Sequence, residues 1–184
     1  MRAYASVVLG GGWLHRWRCL RQTFEAQRGR WMKFGKADQK ALALWAADCA
    51  EHVLPIFETN RATDDRPWEA IEAGRAWARD LISCAKARAA ASAAHAAARE
   101  TDDVAAREAA HAAGHAAATA HVGKHAVHAA AYAVKAVRCR AHRNEVDRLA
   151  AEEREWQIQR LPKRLRLVVF STPSTRGAGG GKRI

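Results

Sequence analysis

AKARAAASAAHAAARETDDVAAREAAHAAGHAAATAHV, residues 85–122, decides the fold class. Half of residues 85–136 are alanine, the strongest helix former in water. A methyl side chain also lets helix axes approach at the near end of the 8–10 Å packing range. Thr101-Asp102-Asp103 interrupts the run with a turn and helix-start signal. The stretch therefore reads as two tightly packed antiparallel helices. The similarity of AAASAAHAAARE to AAREAAHAAGHAAA follows from alanine content and does not require a true internal repeat.

The pattern extends in both directions. Upstream, a helix is expected from about 38 to 58, with Asp38 as N-cap. Leu42, Trp45, Cys49, His52/Val53 and Ile56 line one face. Pro55 should kink its last turn, because proline lacks an N–H. After ETNRATDDRP, Asp65 is placed to cap a second helix, with Pro67 in its first turn. Trp68, Ile71, Ala78, Leu81, Ile82 and Ala85 mark its apolar face, and the pattern runs on to about Glu100 with a break near Ser83–Cys84. Downstream of Asp103, one helix is expected to Val122, and another from Lys124 without interruption to Arg160, before Pro162. The expected architecture is an all-α, compact, alanine-rich bundle of four to six largely antiparallel helices.

Charge divides the chain differently. Residues 1–36 carry +7, residues 37–137 carry −2 and residues 138–184 carry +7, within a net charge of +12. A nucleic-acid-binding domain usually bears its basic stripe on the folded unit, so nucleic acid is not the expected partner. The organisation expected is a basic N-terminal extension over 1–36, a helical domain over 37–169 and a disordered tail over 170–184. Met32 opens MKFGKADQK, which reads as a natural start, making 1–31 an extension. The opening MRAYASVVLGGGWL lacks a convincing signal-peptide cleavage site. No apolar run approaches the ~20 residues of a membrane span, so no membrane partner is expected. Cys19, Cys49, Cys84 and Cys139 are scattered, without a CxxC pair, as suits free thiols in a reducing cytoplasm.

The nine histidines are the sharpest chemical feature. His111/His115 and His121/His125 are both i, i+4 pairs, a spacing that puts both rings on one helix face and can chelate a metal. His128 follows three residues later, and His95 lies on the neighbouring segment. Glu108–His111 is the single Glu-x-x-His spacing among them, too little for a di-iron bundle site. Packing and hydrogen bonding between alanine-rich helices is the favoured reading. A metal site at His111, His115, His121 and His125, or a pH switch, is the alternative. Ser83 and Ser92 lack a nucleophile elbow. GAGGGK lacks phosphate-loop spacing. Asp48 and Glu51 share a helix face and suit an ion-pair role better than acid–base work. No catalytic residue and no cofactor is expected. Trp45, Trp68, Trp77 and Trp156 read as core anchors. Trp13, Trp17 and Trp31 lie among arginines, where they would stack on bases or sit at a membrane surface if that segment belongs to the native chain.

Five segments together carry a resemblance: LALWAADCAEHVLPIFE (42–58), DRPWEAIEAGRAWARD (65–80), AAHAAARE (93–100), AAGHAAATAHVGKHAVHAAAYAVKAV (112–137) and EREWQIQRLPKRLRLVV (153–169). They resemble the bacterial family of Imm-5-like putative immunity proteins. The resemblance implies an all-α, non-enzymatic cytoplasmic protein of a polymorphic toxin system, whose partner is a cognate toxin that it blocks. It carries over no catalytic residues. It singles out Asp48, Glu51, Arg66, His95, Arg99, His121 and His125 as an interhelical polar network or a toxin-facing surface. The alanine-rich faces would serve equally within one chain or across a homodimer. A metal- or cofactor-binding bundle built on the histidines, and a basic nucleic-acid-associated protein, are the competing readings.

Overall fold

Small side chains set the spacing of the helices. The computed structural model describes residues 35–170, which form α1 (Lys36–Glu58), α2 (Arg66–Ala78), α3 (Cys84–Arg99), α4 (Val104–Ala118), α5 (His125–Arg140), α6 (Val146–Arg160) and α7 (Lys163–Phe170). No strand occurs among the described residues. The fold is all-α, with seven helices rather than four to six. The extension over 1–34, with Cys19, Trp13, Trp17, Trp31 and Met32, and the tail beyond 170 lie outside the described residues.

α4 is the centre. It packs against α1, α2, α3 and α5 at once. Eleven of its fifteen residues are buried, and all but Glu108 among those eleven are alanine or glycine. Gly74 of α2 lies directly on the α4 backbone: a Cβ there would meet the Ala116 carbonyl at 3.4 Å. Larger anchors close the periphery, with Trp45, Phe57, Leu42, Ile71, Leu161 and Leu165 among the largest fully buried side chains. The ends of α4 are satisfied from outside the helix. Asp103 accepts the Ala106 N–H at 2.7 Å, and Gln39 of α1 donates to the carbonyls of Thr119 and Ala120 at 2.9 and 3.2 Å. Unpaired terminal backbone groups would otherwise face the interior.

Several local expectations are corrected. α1 starts at Lys36, with Gly35 at its N-cap, so Asp38 lies in the first turn and pairs instead with Arg164 of α7 at 3.0 Å. Its end agrees with the expectation: the helix runs to Glu58, with Pro55 inside its last turn. Glu51, whose carbonyl loses a donor there, is exposed to water. Asp65 holds the N-cap position of α2 without a side-chain bond. The buried face of α2 is Pro67, Ala70, Ile71, Gly74, Trp77 and Ala78. Trp68 falls one residue off that face and is 42% exposed, so it is not a core anchor; Leu81 is 71% exposed. Trp45 and Trp77 are buried, and Trp156 is half-buried. The uninterrupted helix expected from 124 to 160 is two helices, broken between Arg140 and Val146. That break contains neither glycine nor proline. Tertiary contacts favour it: reversal brings Gln157 of α6 back to α1 and α5.

Gln157 joins three helices. Its side-chain amide donates to the Ala130 carbonyl of α5 at 3.1 Å and to Glu153 Oε1 at 2.7 Å, and its backbone carbonyl accepts Trp45 Nε1–H of α1 at 2.9 Å. Among the described residues, no helix is long and apolar enough to cross a membrane. Gln157→Leu removes the donor from a buried carboxylate oxygen. It should lower unfolding stability by about 1–3 kcal/mol, read as a drop in the urea midpoint; an unchanged midpoint would contradict this role.

Candidate functional site

The histidines gather on one strip because three adjacent helices present them there. α4 buries its alanine faces on α1 and α2 and turns His111 and His115 toward α3 and α5. α3 supplies His95. The start of α5 supplies His125 and His128, followed one turn on by Tyr132. The rings form a continuous series. His95 Nδ1 lies 3.1 Å from His111 Nδ1, and His115 Nδ1 lies 3.1 Å from His125 Nδ1. The His115 ring also packs edge-on against His95 at 5.0 Å and His128 at 5.2 Å, and stacks on Tyr132 at 5.0 Å. His121 contacts His125 at 4.9 Å. Gly114 makes room for the series: a Cβ there would sit 2.6–2.8 Å from the His95 ring.

Burial lowers the pKa of every ring in the middle of this strip. His115 is pushed down to about 3, by burial first and then by the neighbouring histidines. His125 is pushed down to about 4 for the same reasons. His95 and His128 are lowered by burial, with His111 and Lys124 respectively adding to the effect. His111 is lowered by burial, partly offset by Glu108. At neutral pH these are uncharged imidazoles, each offering a lone pair or an N–H. At 3.1 Å, one ring of each close pair donates and the other accepts. Glu108 Oε1 pairs with Lys135 at 2.9 Å, while its buried Oε2 has no partner among the described residues.

Other polar groups form separate clusters. Arg75 clamps Asp48 at 2.9 Å, Glu51 at 2.5 Å and Glu72 at 2.8 Å. Its guanidinium holds the Glu51 carboxyl below the usual range. Arg66 pairs with Asp64 at 2.6 Å and Glu100 at 2.5 Å, lowering both carboxyls. His52 meets Glu153 at 2.7 Å and stacks on Trp156 at 3.8 Å, with Arg160 also over that indole. Burial raises Glu153, and burial with the nearby Glu153 charge raises the Cys49 thiol. Cys49, Cys84 and Cys139 are free thiols.

The residues singled out from sequence thus fall into three places. Asp48 and Glu51 meet on Arg75, Arg66 lies at Glu100, and His95, His121 and His125 belong to the histidine strip. Arg99 is exposed near His95, whose charge it disfavours. Of the weak metal candidates, His111 pairs with His95, His121 touches His125, and His115 meets His125. A group able to hold a metal is His115, His125 and His128, with one donor atom from each lying within 4.8 Å of the others. His128 was not in the expected metal set, although its i, i+3 spacing from His125 was visible. Arg75, Gln157 and the His52–Glu153 pair were not singled out at all. Two traces were present: the i, i+3 spacing of Arg75 from Glu72 and the i, i+4 spacing of Gln157 from Glu153.

Comparison with known proteins gives one family match. A family model described as "Imm-5 like putative immunity protein" matches residues 32–164. No curated protein and no solved structure matches.

Two outcomes follow from the site. Histidines whose folded pKa is lowered leave the unfolded chain binding more protons below its own value of ~6.5. Stability should therefore fall as pH drops from about 6.5, continuing toward the folded values near 4 and 3. Urea midpoints between pH 7.5 and 5 check this, and a flat profile would contradict it. Gly74→Ala, in ordinary contact, should gain up to ~1 kcal/mol from helix propensity. Gly114→Ala must displace His95 and should lose about 1–3 kcal/mol; equal effects in denaturant titration would contradict the crowding.

Proposed function

This chain belongs to the family of Imm-5 like putative immunity proteins, and we propose that it protects its producer by binding a cognate toxin of a bacterial polymorphic toxin system. On this reading it acts in the cytoplasm, by occlusion, and turns over no substrate. The observation that carries the reading is the family match over 32–164, which spans the bundle from α1 into α7.

We place the toxin-facing surface where α2 begins, α3 ends and α4 begins. Trp68 is 42% exposed and Val104 is 50% exposed at that end. Arg66, held between Asp64 and Glu100, lies two residues from Trp68, and Arg61 donates to the Glu100 carbonyl at 3.1 Å. Tryptophan and arginine are enriched among residues that dominate protein–protein affinity. A pre-paired guanidinium loses little side-chain entropy on docking.

Co-expression with the toxin encoded beside its gene tests the function. Restored growth and a purified complex are expected; failure to bind or rescue against every neighbouring toxin would overturn it. Trp68→Ala should weaken the complex by about 30-fold, the factor for a hot spot of ~2 kcal/mol, with circular dichroism unchanged. Undiminished affinity in that variant would remove this surface.

A further inference from the structure

We propose that His115, His125 and His128 form a site for one divalent transition-metal ion of the class that imidazole donors bind, zinc among them. The proposal does not depend on the toxin-binding reading. It rests on placement: one ring nitrogen from each of the three histidines lies within 4.8 Å of the others. For zinc–nitrogen bonds of 2.0–2.1 Å, the edge of a tetrahedral site is about 3.3 Å. The His115 and His125 Nδ1 atoms are already 3.1 Å apart. His128 is exposed on the first turn of α5, so a rotamer change brings its donor in without moving a helix.

The surroundings are those of an orienting shell. Tyr132 stacks on the His115 ring at 5.0 Å, and His95 abuts it at 5.0 Å. These contacts restrict the one ligand contributed by α4, as outer-shell groups do in metal sites. Imidazole donors without a carboxylate or thiolate suit zinc, copper, nickel and iron, and disfavour calcium and magnesium. Three protein ligands leave a fourth position for water or an incoming anionic group. The exposure of His128 puts that position on the solvent side. In the metal-free chain the His115–His125 contact is an N–H···N hydrogen bond. Metal binding takes both Nδ1 lone pairs, the Nδ1 proton of the donating ring passing through solvent to its own Nε2, and links α4 to the start of α5.

The test uses the full chain without an affinity tag, stripped with chelator and titrated with Zn²⁺ by calorimetry, with Co²⁺ as the spectroscopic probe. One equivalent should bind, raise the melting temperature, and with Co²⁺ give the strong visible bands of a tetrahedral site. His128→Ala leaves an exposed position and should fold normally. It should weaken binding by at least about tenfold, the lower bound for loss of even an outer-shell partner. His125→Ala should do the same, while His142→Ala, on the exposed α5–α6 turn, should bind as the parent does. Absence of stoichiometric binding would overturn the proposal. So would parental affinity in both His125→Ala and His128→Ala, or an equal loss in His142→Ala.

Discussion

α4 touches four other helices at once, and that is sterically open to it because nearly everything it buries is a methyl group or a hydrogen. The rest of the structure depends on this constraint. Close approach brings α3 and α5 to the same side of α4, near enough for imidazoles from three helices to touch. With leucine on these faces the axes would stand farther apart, and His95, His111, His115 and His125 would no longer meet ring to ring. Tight packing also burdens the site. It draws four half-buried rings together with the exposed His128 beside them, so the fold favours their neutral forms.

The periphery works by a different principle. Large side chains and charged clamps hold the outer helices in place. Gln157 ties α6 to α1 and α5 through two hydrogen bonds, and Arg75 of α2 reaches across to two carboxylates of α1, Asp48 and Glu51. The surface proposed for the partner lies at an end of the bundle, where Trp68 has no core to enter. The histidine strip lies along the helices instead. The two functions proposed for the molecule therefore use different residues.

The helical class was legible in alanine content, and the family in segments such as LALWAADCAEHVLPIFE, because both are properties of local sequence. The start of α4 was legible for the same reason, since Thr101-Asp102-Asp103 is a local signal; of the start of α3 only a break near Ser83–Cys84 was legible, and the Ser83 cap was not. The break between α5 and α6 was not, because it has no local breaker and follows from contacts between residues far apart in sequence. Trp68 was misplaced because 68 and 71 fit a helical spacing as well as 67, 70, 71 and 74 do. Only packing distinguishes the two faces. Within the site, the i, i+4 histidine pairs were visible, and His121 does touch His125 across the turn before α5, but the two 3.1 Å contacts were not, because each joins different helices. His111 meets His95 rather than His115, and His115 meets His125.

Central to the structure is that α4 holds imidazoles of neighbouring helices in direct contact as neutral rings. Nitrogen-15 NMR of the metal-free full chain at pH 6 reads this directly. Scalar coupling across N–H···N bonds is expected for the His115–His125 and His95–His111 pairs, with His115 and His125 uncharged. Absence of both couplings, with all rings titrating near the ordinary histidine value, would contradict it.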